Sequence, residues 1–193
     1  MKLYHIGILD NKHKPAVQLC AAYEDSDFSR WARNDLKSGM KMLSKVVAER
    51  TKPGQRINVQ ERDYMVHCFA RSEGIAAVAI TKDYPSPAAQ AFLSEVLDDF
   101  LVQNGAATDC HENREGTIDF PLEHYLQRFQ DPEEDTIVTL QKQLDDTKGI
   151  LHKTIESMLE RGTKLDDLVA KSSDLSAQSK FFYKNAKRQN SCC

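Results

Sequence analysis

Leu159-Glu160-Arg161-Gly162-Thr163-Lys164-Leu165-Asp166-Asp167-Leu168 sits at the middle of a stripe that advances in alternating steps of three and four. Followed outward, the stripe runs Ile137, Leu140, Leu144, Thr147, Leu151, Thr154, Met158, Arg161, Leu165, Leu168, Ser172, Leu175, Ser179, Phe182, Ala186 and Gln189. This spacing keeps one helical face turned toward neighbouring helices, as in the seam of a coiled coil. An arginine in a seam carries a buried-ion penalty on the order of several kcal/mol unless partner helices supply acceptors. The partners must therefore be matched to Arg161.

One helix from Pro132 to Gln189 would extend roughly 85 Å at 1.5 Å per residue. A compact domain built from the preceding residues has a radius of gyration of only about 14 Å. The segment must bend back in pieces, stay unfolded or find other helices. Its start is marked by Asp131-Pro132-Glu133-Glu134-Asp135, which offers a capping side chain, proline at the first helical position and acids at the positive end of the helix dipole. Gly149 and Gly162 each cost about 1 kcal/mol relative to alanine inside a helix. With Thr147, Thr154, Ser172 and Ser179 also in the seam, the isolated helix is weak and should order on partner binding.

The front half reads as α+β. Residues 3–9 and 16–23 alternate as strands on either side of the turn Asp10-Asn11-Lys12-His13-Lys14-Pro15. Ala32, Leu36, Met40, Leu43 and Val47 then form one helical stripe ending before Lys52-Pro53-Gly54. Three further strands are expected over 56–61, 65–70 and 75–81, the last two forming a hairpin through Arg71-Ser72-Glu73-Gly74. Ala89, Phe92, Leu93, Val96, Leu97, Phe100 and Leu101 define a second amphipathic helix. A polar loop over 103–116 precedes a short third helix containing Leu122, Tyr125, Leu126 and Phe129. The order ββαβββαα predicts a five-stranded antiparallel sheet with helices on both faces. The chain accordingly divides into a domain over 1–130, a coiled-coil segment over 131–190 and a tail over 191–193.

The net charge of −3 argues against a nucleic-acid binder. The N-terminus lacks the charged-then-apolar pattern of a signal peptide, and no run approaches about 18 uninterrupted apolar residues, the length of a membrane span. A cytosolic protein is expected. Cys20, Cys68 and Cys110 are scattered without CxxC spacing and read as reduced thiols, whereas Cys192 and Cys193 are adjacent and terminal. The six histidines show no paired-ligand spacing, so neither a metal nor another cofactor is implied. Neither His67-Cys68 nor Cys110-His111 makes a natural nucleophile and base, because adjacent strand residues point to opposite faces; an acyltransferase or hydrolase is not expected, and no catalytic residues are assigned. Lys142, Asp145, Asp146 and Lys148 lie off the seam and read as a solvated helix face.

The arginine-centred decamer quoted above resembles the central motif of the R-SNAREs, and the ββαβββαα front half resembles a longin domain, a profilin-like fold. Together with the Cys-Cys terminus, these features resemble the prenylated longin-type R-SNAREs of the Golgi and vacuole, which lack a transmembrane segment. The resemblance covers nearly the whole chain. It implies that three glutamine-SNARE helices join this one in a parallel bundle that drives membrane fusion, with Arg161 as the ionic-layer residue. The guanidinium's five donors fit three side-chain carbonyls, and a mispaired apolar layer leaves them unsatisfied, which sets register.

The resemblance further implies that Cys193 carries a farnesyl group and Cys192 a palmitoyl or second prenyl group. A prenylation signal is C-a-a-X, whereas this sequence stops at Cys193. Two lipids make a stable membrane attachment, to which Lys184, Lys187 and Arg188 add attraction for anionic lipid. A lipid-anchored protein cycling between the cytoplasm and Golgi, endosomal, vacuolar and vesicle membranes must hide its lipid and its seam. In the family the longin domain folds back over both, and Met42 and Val46 are expected to line the receiving groove. Phosphorylation of Ser172 or Ser179 would place close to two negative charges in a desolvated layer and block bundling. A longin-containing trafficking adaptor or tether subunit is the main alternative, although a purely scaffolding coiled coil requires neither Arg161 nor the terminal cysteines.

Overall fold

Leu3 to Leu9 have no solvent-facing side, which places the first strand at the centre of a sheet covered on both faces. In the computed structural model, which describes residues 1–12, 14–104, 115–130, 139, 149–159 and 162–180, this strand, β1 (Lys2–Asp10), lies between β2 (Val17–Tyr23) and β5 (Ile75–Lys82). The sheet continues through β4 (Tyr64–Ala70) to β3 (Arg56–Glu61), with every one of these neighbours antiparallel. Helix α1 (Arg33–Glu49) covers one face; α2 (Ser86–Asn104) and α3 (Leu122–Arg128) cover the other.

Period-two alternation on the inner strands feeds two cores. Ala77 and Ala79 of β5 pack with Phe92, Leu97, Phe100 and Phe129 beneath α2 and α3, while Ala76, Val78 and Ile80 face Val47 of α1 together with Ile57 and Val66. The small residues on β5 let α2 approach closely, and the rings of Phe92 and Phe129 stack at 4.9 Å there. Between the layers, the buried ring of His67 bridges Asn58 Oδ1 (2.8 Å) and Thr81 Oγ1 (2.9 Å), and Gln90 Nε2 donates to the same Asn58 oxygen (2.8 Å).

The expected five-stranded antiparallel sheet needs one correction: a sixth strand, β6 (Ile150–Thr154), pairs parallel with β3 and makes the sheet mixed. The reason is the free edge of β3, whose unpaired backbone groups attract another extended segment. Ile150 to Thr154 meet that edge in register, Arg56 opposite Ile150 and Gln60 opposite Thr154. Of the three fates open to the long seam, the described part of 150–180 takes the first and bends back in pieces. It runs through α4 (Ile155–Met158) and α5 (Leu165–Lys171) to a further helical turn at 177–180.

Gly74 closes the β4–β5 hairpin at φ +83°, and an added Cβ would come within 2.2 Å of Lys12 Cγ. Gly74→Ala is expected to destabilise the domain by about 1–2 kcal/mol through backbone strain, read as a lower midpoint in denaturant at unchanged slope.

Candidate functional site

The seam's polar and glycine positions, which weaken one long helix, give the folded-back segment its corners. Thr154 ends β6 and caps α4, its Oγ1 accepting from the Ser157 N–H (3.3 Å) while Ser157 Oγ accepts from the Thr154 N–H (3.0 Å). Gly162, at φ +92°, follows, and the Lys164 N–H donates to the Asp167 carboxylate (3.1 Å) where α5 begins. Beyond α5, Ser172 Oγ accepts from the Asp174 N–H (3.2 Å), turning the chain across α1.

Ile155, Met158, Leu159, Leu165, Val169 and Leu175 are buried in the core on the α1 side, continuous with Val46, Val47 and Val66. Leu165 and Leu175 also form one wall of an apolar cavity of about 450 Å3. Its other walls come from Phe28, Leu36, Met40, Met42 and Leu43 on or before α1, and from Tyr64 and Ile80 of the sheet.

Polar contacts fasten the rim. The Asp174 carboxylate lies 3.2 Å from Lys41 Nζ and 3.1 Å from Lys45 Nζ, and Glu115 approaches both ammonium groups at 2.8 Å. Burial works against the charge on Lys41, but Glu115 and Asp174 hold its pKa above the ordinary lysine value. Glu115 is likewise partly buried, yet its hydrogen bonds from Lys41 and Lys45 keep its carboxyl below the usual range. At the far end Ser179 Oγ donates to the Asp35 carboxylate of α1, and Lys180 Nζ donates to the Ala170 carbonyl (2.9 Å).

Of the seam residues expected from sequence, Met158, Leu165 and Leu175 come together against the α1 side of the sheet, with Leu168 packed at their edge. Leu151 instead stands 41% exposed on β6, because pairing with β3 turns it outward. Ser179 is buried and Ser172 partly so. Arg161, Ile137, Leu140, Leu144, Phe182, Cys192 and Cys193 lie outside the described residues.

Met42, expected in the groove, lines the cavity. Val46, one turn further along, does not line the cavity but lies in the same α1-side core as Met158, Leu165 and Leu175, while Leu36, Gly39, Met40 and Leu43 complete the cavity wall on α1. Sequence reasoning also missed Asp174, Lys41, Lys45, Glu115 and Asp35. The only signal for them was the four-residue spacing of Lys41 and Lys45, which marks a common helix face but names no partner.

The pair His67-Cys68 is unsuited to nucleophilic chemistry. Burial pushes the Cys68 thiol up to about 12 and holds His67 down at about 3, so neither thiolate nor imidazolium forms near neutrality. Cys20 is raised to about 12 by burial as well.

A five-stranded antiparallel core of this order between α1 and the α2–α3 pair, with a heptad segment folded onto its first helix, is the architecture of a longin domain joined to a SNARE motif. Residues 24–126 match the longin family, a regulated-SNARE-like domain, and residues 136–192 match synaptobrevin. The chain is 47% identical to synaptobrevin homolog ykt6 of Schizosaccharomyces pombe over 196 residues, covering all of this chain and 98% of that protein. Synaptobrevin homolog YKT6 of Eremothecium gossypii is 45% identical and that of Saccharomyces cerevisiae 41%, each with the same coverage of both chains. The chain belongs to the Ykt6 family of synaptobrevin homologues, longin-fronted R-SNAREs of vesicle trafficking. No helix among the described residues is long and apolar enough to cross a membrane.

Proposed function

We propose that the folded-back arrangement is the resting state of a lipid-anchored R-SNARE, and that release of residues 150–180 frees the seam for assembly. The observation that carries this reading is the burial of Met158, Leu165 and Leu175 against the α1 side of the longin domain. The same side chains cannot also face partner helices, so the clamp and the bundle exclude each other.

In the released state Arg161 forms the ionic layer with side-chain carbonyls from three glutamine-SNARE helices. Ile137, Leu140, Leu144, Leu151, Met158, Leu165, Leu168, Leu175 and Phe182 supply apolar layers of the parallel bundle. Farnesyl on Cys193, with palmitoyl or a second prenyl group on Cys192, holds the protein to the cytosolic face of Golgi, endosomal, vacuolar or autophagosomal membranes. In the resting state the apolar cavity beside Met40 and Leu43 suits such a chain, both in its lining and in its volume of about 450 Å3, within the range of small-ligand pockets. A phosphate on Ser179 would face the Asp35 carboxylate that its hydroxyl now contacts, so it opposes the clamp as well as the bundle. Neither role calls for enzymatic chemistry.

The test is lipid mixing between liposomes carrying the lipidated chain and liposomes carrying glutamine-bearing partner helices. Arg161→Leu leaves buried partner carbonyls unsatisfied at about 1–3 kcal/mol each and is expected to slow mixing at least about tenfold. Fusion that proceeds without the anchor and without partner helices would refute the reading.

A further inference from the structure

Arg33, Lys37, Lys41 and Lys45 recur every four residues and form one cationic ridge along α1. Its first half is paired from within the longin domain, because Asp25 pairs with Lys37 (3.0 Å) and lies 3.8 Å from Arg33. The second half is different. Lys41 and Lys45 share two carboxylates, and one of them, Asp174, belongs to the segment that must leave.

Asp174 is followed directly by Leu175, which lines the apolar cavity, so the lysine pair and the apolar strip of α1 lie one residue apart. Departure of 150–180 therefore does two things at once. It leaves Lys41 and Lys45 with Glu115 as their one carboxylate partner among the described residues, and it strips the Leu165 and Leu175 side chains from Leu36, Met40 and Leu43. The ridge then carries four cations against Asp25, Glu115 and the Asp35 carboxylate that Ser179 leaves, still a surplus of positive charge bordering an apolar strip. An anionic bilayer matches both parts, offering phosphate to the ammonium groups and its acyl boundary to the apolar side chains.

We propose that α1, once uncovered, docks the longin domain onto an anionic leaflet through Lys41 and Lys45, with lipid phosphate taking the place of the Asp174 carboxylate. The proposal rests on the reading of 150–180 as a releasable clamp. Asp174 and phosphate compete for the same two groups, so the effect is reciprocal: release strengthens membrane docking, and an anionic membrane favours release by the same factor.

The experiment uses the full chain, unlipidated, with neutral phosphatidylcholine vesicles and vesicles containing about 30% phosphatidylserine. Leu165→Ser with Leu175→Ser uncovers α1 without changing its charge, and amide exchange at Ile150–Thr154 reports whether the clamp has opened. The opened chain is expected to bind anionic vesicles at least about tenfold more tightly than wild type. Adding Lys41→Gln and Lys45→Gln to it should remove roughly 30-fold, the effect of two lysines at such a surface. That difference should vanish on neutral vesicles and shrink at about 0.5 M salt. If exchange rises in the opened chain but the lysine substitutions leave anionic binding unchanged, docking through the ridge is refuted while the clamp stands. If exchange at Ile150–Thr154 does not rise, the clamp fails and the docking proposal with it.

Discussion

Met40→Gln combined with Leu43→Gln should raise the rate of assembly with partner helices by about a hundredfold. Both side chains line the cavity facing Leu165 and Leu175, and both belong to the longin half, so the seam itself is untouched. Folding back buries seven apolar residues of 150–180, but it also fixes a long stretch of backbone at about 1–2 kcal/mol per residue. These large terms nearly cancel, and a clamp of small net stability is tipped by modest changes. Making the receiving surface polar removes part of the burial gain for Leu165 and Leu175, about 1–2 kcal/mol at each position, or roughly tenfold in the open population for each. Assembly that requires the open state speeds up in proportion until opening no longer limits it. Ser179→Asp belongs in the same experiment: it sets a carboxylate against Asp35 and should raise amide exchange at Ile150–Thr154, while its seam position slows assembly. Unchanged assembly in the glutamine variant, with native-like stability of the longin domain, would mean that burial of the seam does not govern access to it.

The longin half was legible because its elements are decided locally. Strands 56–61, 65–70 and 75–81 match β3, β4 and β5 to within a residue at each end, since alternation and the Gly74 turn specify them without reference to the rest of the fold. The C-terminal half was not legible in this state, because its conformation is chosen by what it packs against. Ile150-Leu151-His152-Lys153-Thr154 fits a heptad stripe and also fits a strand; the open edge of β3 settles the choice, and no local signal reports that edge. Met40 and Leu43 read as core because they share a stripe with Val47, yet they border the cavity, whereas Val46 packs in the core that α1 shares with the folded-back segment. A helix pattern gives the apolar arc but not which part of it meets the sheet and which part meets the folded-back segment. Asp174 was invisible for a related reason: an aspartate gains meaning as a latch only once Lys41 and Lys45, more than a hundred residues earlier, are placed beneath it.

Acid should unfold the longin domain well before its carboxylates are exhausted. His5 and His67 are both fully enclosed in the sheet, where burial lowers the first to about 4 and the second to about 3, against an ordinary value of 6.5. His5 Nδ1 meets the Ala22 carbonyl at 3.0 Å and its ring stacks on Tyr23 at 4.6 Å, while both nitrogens of His67 are engaged by Asn58 and Thr81. None of these partners carries a negative charge that would stabilise an imidazolium. Below pH 6.5 the unfolded chain takes up protons at both rings and the folded chain does not, so stability is full above that value and falls as pH approaches the folded-state values near 4 and 3. Each ring costs about 1.4 kcal/mol per pH unit across that window, so moving from pH 6.5 to 5 removes about 2 kcal/mol per histidine. Together this is a large share of a stability of about 5–15 kcal/mol. Urea titrations at a series of pH values should show the midpoint falling steadily from pH 6.5 downward. NMR of the two imidazole rings should show neither of them titrating near its ordinary value while the domain remains folded. A ring that gains its proton at about pH 6.5 without loss of structure would place that histidine in contact with water or with an anion, contrary to its position between the layers.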